Sequence, residues 1–179
     1  MILFPPAVFD SNEWFIVAAS VLVWTVSLAL PKRFSLFTVV CIWVLNIYLA
    51  QTTDFIIGKV PYELYQVNDY SEYEYFDVFL YIITYPPAAY LMLEGYDRWR
   101  LRGSKAVFYV LACALVTIGL ERVSVAFRVF TYDSWRLAYS YPTYVLVYSL
   151  NIGMLRLVRR YHPLQGLRAG RPEQRQGRL

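Results

Sequence analysis

The chain has one histidine and two cysteines in 179 residues. That scarcity excludes a good deal of chemistry. His162 stands alone, so a Ser-His-Asp triad, a histidine-ligated metal and an HExxH helix cannot be built. Its setting between Tyr161 and Pro163 reads as a solvated turn that ends a helix. Cys41 and Cys113 form no CxxC and no zinc-type spacing. Both fall inside apolar runs, about 10–12 Å from the corresponding helix ends by helix rise. Their similar depth permits contact, but such a thiol packs as a small hydrophobe. The eight glycines are scattered and make no phosphate loop. No lysine or arginine precedes Trp14. The first apolar run therefore lacks the basic leader of a secretory signal and reads as an uncleaved anchor, although Ser27 and Ala29 resemble a cleavage pattern.

What the chain has is apolar length. Hydrophobic residues make up 58%, aromatics 18%, and mean hydropathy is +0.38. A soluble domain sits nearer one half apolar. Five apolar stretches run over Trp14–Leu30, Phe34–Ile57, Tyr75–Leu93, Ala106–Phe127 and Tyr141–Leu157. Each has the length of a bilayer-spanning helix. The expected fold is all-α: one integral membrane bundle of five transmembrane helices over residues 1–162. Residues 163–179, rich in Gly, Arg, Gln and Pro, read as a disordered basic tail.

Charge orients the bundle. Alternate loops carry thirteen and three basic residues. The richer set holds Lys32 and Arg33, then Arg98 to Lys105, then the C-terminal arginines. Basic excess marks the cytoplasmic side, so the N-terminus is expected outside and the C-terminus in the cytoplasm. The arginine tail suits anionic lipid head groups. It lacks the aromatic interleaving of a nucleic-acid binder.

Local signals fit the same outline. Asp10-Ser11-Asn12-Glu13 reads as an N-cap with a capping box. Pro86-Pro87 should kink the third span, and neighbouring helices must satisfy the carbonyls it frees. Tyr62, Tyr65, Tyr70, Tyr73, Tyr75, Tyr96, Trp99, Tyr132, Trp135, Tyr139 and Tyr141 cluster near helix ends, as in an interfacial aromatic belt. No internal repeat is visible.

Ionisable groups inside spans are functional candidates, and helix rise gives their depth. Asp54 lies about 30 Å along the second span, and Glu121 and Arg122 about 24–26 Å along the fourth. Asp77 opens the third. These four converge on the outer boundary, where Arg122 is the single cation and is expected to pair with Asp54 or Asp77. Three roles are open for the cluster: a structural ion pair, an aromatic-walled pocket for a small polar or cationic ligand, or an acid–base site. A second level holds Asn46 and Asn151, about 18 Å and 15 Å along their helices, placed for an interhelical amide pair. A third, cytoplasmic level holds Glu94, Arg98 and Arg156. No cofactor and no metal is implied.

Leu30-Pro31-Lys32, Tyr85-Pro86, Leu93-Glu94 with Tyr96, Arg98-Trp99, Gly119-Leu120-Glu121-Arg122 and the closing Asn151 helix resemble an uncharacterised family of small, roughly five-span membrane proteins from spore-forming Gram-positive bacteria. The resemblance covers about residues 14–160. It implies the topology and brings no catalytic residues. The leading expectation is a non-enzymatic membrane scaffold, sensor or assembly partner, alone, as a homo-oligomer or with another membrane protein. The alternative is a small-molecule binder or transporter using the outer cluster, and a membrane enzyme comes third.

Overall fold

The structure is a computed structural model that describes residues 3–58, 62–70 and 72–161. His162 and the tail from Pro163 lie outside the described residues, as do Lys59 and Ser71.

The protein is mostly helical, and four of its helices are long and apolar enough to cross a membrane. Helix α1 covers Ser11–Ala29. Helix α2 covers Leu36–Thr53 and runs on into a π-helical turn, Asp54–Gly58. The third long element is α3, Tyr75–Phe79, a second π-turn, Leu80–Thr84, and α4, Tyr85–Arg98. Helix α5 covers Ser104–Ala126. A fifth long helix, α6, covers Leu137–Tyr161 and has 25 residues. It is richer in polar groups and falls short of the apolarity of the other four.

The all-α expectation needs one correction. Strands β1, Tyr65–Val67, and β2, Phe130–Tyr132, pair antiparallel with Tyr65 opposite Tyr132. Three residues are too few for a strand to announce itself by alternation. The pairing arises because the α2–α3 and α5–α6 loops meet at one end, where their backbone groups need partners. Asn68 turns β1 away with φ 56°, and its amide donates to the Val129 carbonyl at 3.0 Å. Asparagine tolerates that left-handed conformation better than most residues.

The start of α1 and the π-turn in the third element follow the local chemistry. Asp10 caps α1, and its amide donates to Glu13 Oε2 at 2.7 Å. Pro86 and Pro87 open α4 directly after the π-turn. Pro87 has no N–H for the Ile83 carbonyl. Trp24 of α1 supplies one instead, its indole N–H donating at 2.9 Å. The π-turn and the prolines therefore sit where a neighbouring helix satisfies the freed acceptor.

The third element is central. Half of its most apolar window is buried, against 17–22% in the other three apolar helices. Those three present Val21, Leu36, Val44, Phe108 and Leu115 outward. Ile42, Leu93, Val110 and Leu155 anchor a core near the α1–α2 and α4–α5 turns. Ile16, Val67, Tyr81 and Val129 anchor a second core beneath the ribbon.

Candidate functional site

A cavity of about 210 Å³ lies between the two cores. Helices α2, α4, α5 and α6 wall it, and the ribbon closes one side. Two carboxylates line it, Asp54 and Glu121, together with Tyr65, Tyr85, Tyr132, Tyr144, Tyr148 and Trp135. Asn46 forms part of its floor.

The ribbon register explains the arrangement. Residues directly opposite on an antiparallel pair share a face, so Tyr65 and Tyr132 stand side by side. Each hydroxyl donates to a different carboxylate, Tyr65 to Asp54 and Tyr132 to Glu121. In both cases the tyrosine follows its acid by 11 residues. Asp54 is the first residue of the π-turn that ends α2. Such turns re-aim side chains and recur at functional sites. Burial, then the adjacent Asp54 carboxylate, raises the Tyr65 phenol well above its ordinary pKa. Burial, then the hydrogen bond to Glu121, does the same for Tyr132. Both remain protonated donors near neutral pH.

Glu121 is 7% exposed. Its Oε1 also accepts from the Ser140 hydroxyl at 2.6 Å, and Ser140 accepts from the Trp135 indole N–H at 2.9 Å. Its Oε2 is buried and meets no donor at good hydrogen-bond geometry, although the Tyr144 hydroxyl lies beside the carboxylate. Burying a carboxylate whose donors are all neutral is costly, so a cation in the cavity would be favoured there.

The outer cluster expected from depth is thus only half assembled. Asp54 and Glu121 reach the cavity. Arg122 does not join them: it is exposed on α5 and forms no ion pair with Asp54 or Asp77. Adjacent helical residues point about 100° apart, and Glu121 takes the inward direction. Asp77 is fully buried but serves the loop. It accepts from the Glu74 amide at 3.1 Å, closing the α3 capping box, and from the Asn68 side chain at 2.7 Å. Burial, and then the Asp54 and Asp77 carboxylates together, push up the Tyr73 phenol.

The structure brings Asn46 and Asn151 together. They exchange two hydrogen bonds, 2.8 Å and 3.0 Å, between α2 and α6. At the opposite end Glu94 is not served by Arg98 or Arg156. Its partner is Arg33, at 2.7 Å from the α1–α2 turn. Arg33 Nε lies against Glu94 Oε1, and its charge offsets the cost of burying that carboxylate. Arg98 is exposed and acts on Glu94 only through its charge. Arg156 instead donates to the Tyr96 hydroxyl at 2.7 Å. Arg159 pairs with Asp97 at 2.6 Å. Cys41 and Cys113 are unbridged.

Reasoning from the sequence missed Tyr85, Tyr144, Tyr148, Ser140 and the wall made by Tyr65, Tyr132 and Trp135. By position alone these last three look like belt residues. The belt description suits Tyr62, Tyr75, Trp99 and Tyr139, which are exposed. The matched acid-to-tyrosine spacing was the available signal. Comparison with known protein families, with curated proteins and with solved structures returns no match.

Proposed function

We propose that this protein is a five-span protein of the bacterial cytoplasmic membrane that binds a small organic cation in the cavity between Asp54 and Glu121. The observation that carries this reading is the Glu121 carboxylate, buried in an aromatic-walled cavity whose described lining residues include a second carboxylate, Asp54, and no lysine or arginine. Tyrosine and tryptophan faces beside a carboxylate suit an ammonium group, through charge and ring quadrupole together. The volume suits a small molecule: an apolar cavity of about 150 Å³ holds benzene. A packed scaffold with a neutralised ion pair, the leading expectation from sequence, has less support, because the cation expected to fill that role points outward.

The topology rests on similar support. Helix α6 is about 37 Å long at helical rise, enough to cross. Its polar groups are matched inside the bundle: Ser140 with Glu121, Tyr148 with Thr117, and Asn151 with Asn46. Matching of this kind is what allows polar side chains at membrane depth. The α1–α2 turn, the α4–α5 turn and the end of α6 carry most of the arginines and lysines, which favours a cytoplasmic location for that end. The motifs resembling the five-span family of spore-formers are consistent with this layout.

The purified protein, titrated with tetramethylammonium, choline and small primary amines, should show saturable thermal stabilisation. Neutral isosteres should give none. Stabilisation by the neutral isosteres alone, or by nothing in the series, would sink the reading. The same buried carboxylate beside hydroxyl donors also favours a second reading, acid–base catalysis. Chemical change of a bound amine during the titration would select it.

A further inference from the structure

A second set of acids lies away from the cavity. Glu13 in the first turn of α1, Asp69 in the turn after β1 and Glu74 at the N-cap of α3 come from three separate segments. One carboxylate oxygen of each lies within 4.8 Å of the others. Glu13 and Glu74 are fully buried, and Asp69 is half-buried.

Backbone amides hold the set in place. The Asp10 amide donates to Glu13 Oε2 at 2.7 Å, and the Asp69 amide to Glu74 Oε2 at 3.1 Å. Asp69 accepts from the Ala7 amide at 3.0 Å and from the Asn12 side chain at 3.2 Å. The remaining oxygen of Glu13, Oε1, is sealed from solvent and accepts nothing. Three carboxylates this close repel one another strongly unless a proton or a cation intervenes. No thiol or imidazole belongs to the set. An all-oxygen, carboxylate-rich donor group on irregular loops suits a hard cation with flexible coordination, which is the preference of Ca²⁺ rather than Mg²⁺.

We propose that Glu13, Asp69 and Glu74 bind one Ca²⁺, which clasps the N-terminal segment to the α2–α3 loop. That segment already runs beside the loop: Phe4 bridges to Glu74, its amide donates to the Tyr73 carbonyl at 3.1 Å, and its carbonyl accepts from Tyr75 at 3.1 Å. The site needs no ligand in the cavity and stands independently of it.

The test uses the full chain in detergent, stripped with chelator and then titrated with Ca²⁺ at constant ionic strength. The melting temperature should rise saturably, by about 5–10 °C near a hundredfold excess over Kd, with Mg²⁺ giving much less. Terbium, standing in for Ca²⁺, should luminesce through neighbouring Trp14 and Tyr70 with one-to-one stoichiometry. Glu13→Gln and Asp69→Asn should each weaken terbium binding roughly tenfold or more. Wild-type protein that shows neither saturable stabilisation nor stoichiometric luminescence would overturn the proposal. So would terbium binding unchanged in an Asp69→Asn protein of native helicity.

Discussion

The two ends of this bundle treat their acids in opposite ways. At the arginine-rich end, Glu94 and Asp97 each meet a guanidinium brought from another element, Arg33 and Arg159. At the other end, Asp54 and Glu121 are held by tyrosine and serine hydroxyls. A carboxylate against arginine is electrically neutralised and acts as a staple. A hydroxyl fixes the position of a carboxylate and leaves its charge intact, and in a low-dielectric cavity that charge acts strongly on whatever enters. The same side-chain chemistry therefore supports architecture at one end and a binding site at the other.

Replacing Glu121 with Gln should have the largest effect, and it should fall on binding. The shape is kept and the charge is lost. A charged hydrogen-bonded contact is worth about 1.5–3 kcal/mol, so ammonium affinity should drop roughly 10- to 150-fold. Thermal stability without ligand should hold or rise, because a neutral amide costs less to bury than a carboxylate. Calorimetric titration with paired melting curves separates the two effects. A loss of stability with affinity retained would place a staple at this end too.

Arg33→Ala should do the reverse. It leaves Glu94, whose side chain is 2% exposed, without its partner. Removing one member of a buried pair costs about 3–5 kcal/mol. Arg33 is itself 39% exposed, so about 2 kcal/mol is the better expectation. Unfolding in mixed micelles should report that loss, while ammonium affinity stays within about twofold. A large drop in affinity would mean that the two ends are coupled.

Asn46→Ala tests the boundary between the ends. It leaves the buried Asn151 amide with only the Val147 carbonyl, 3.0 Å away on its own helix. The expected cost is about 1 kcal/mol, and the double change with Asn151→Ala should recover part of it, since membrane amide pairs couple by about 0.6–2 kcal/mol. Strict additivity would show that the pair contributes nothing as a pair.

Legibility in the sequence followed regularity. Asn46 and Asn151 meet because depth along a straight helix is simple arithmetic, and both asparagines face inward. The capping box at Asp10 and Glu13 is a local pattern and reads locally. Depth carries no azimuth, however. Asp54, Asp77, Glu121 and Arg122 share a level, yet only Asp54 and Glu121 turn toward the cavity. The capping box spends Asp77 on its own helix start. In the sequence Arg33 is part of a topological signal, and its reach to Glu94 depends on how the α1–α2 turn folds against α4. The ribbon that aligns Tyr65 with Tyr132 is a tertiary event between segments far apart in sequence. So is the triad of Glu13, Asp69 and Glu74.

Arg122→Ala should have the smallest effect, and its smallness is informative. Arg122 is the cation nearest in sequence to Glu121, and depth alone assigns it as the neutralising partner. On α5 it is exposed instead, close enough to influence the Tyr132 phenol through its charge but not paired with the acids. Stability should stay within about 0.5 kcal/mol, the range of an ordinary surface change. Ammonium affinity should hold or rise slightly, because a nearby positive charge is removed. If alanine here instead lowered stability by more than about 1.4 kcal/mol, Arg122 would be acting as a staple for Glu121 in the membrane. The contrast between a neutralised end and a charged one would then disappear, and the cavity would revert to a structural ion pair.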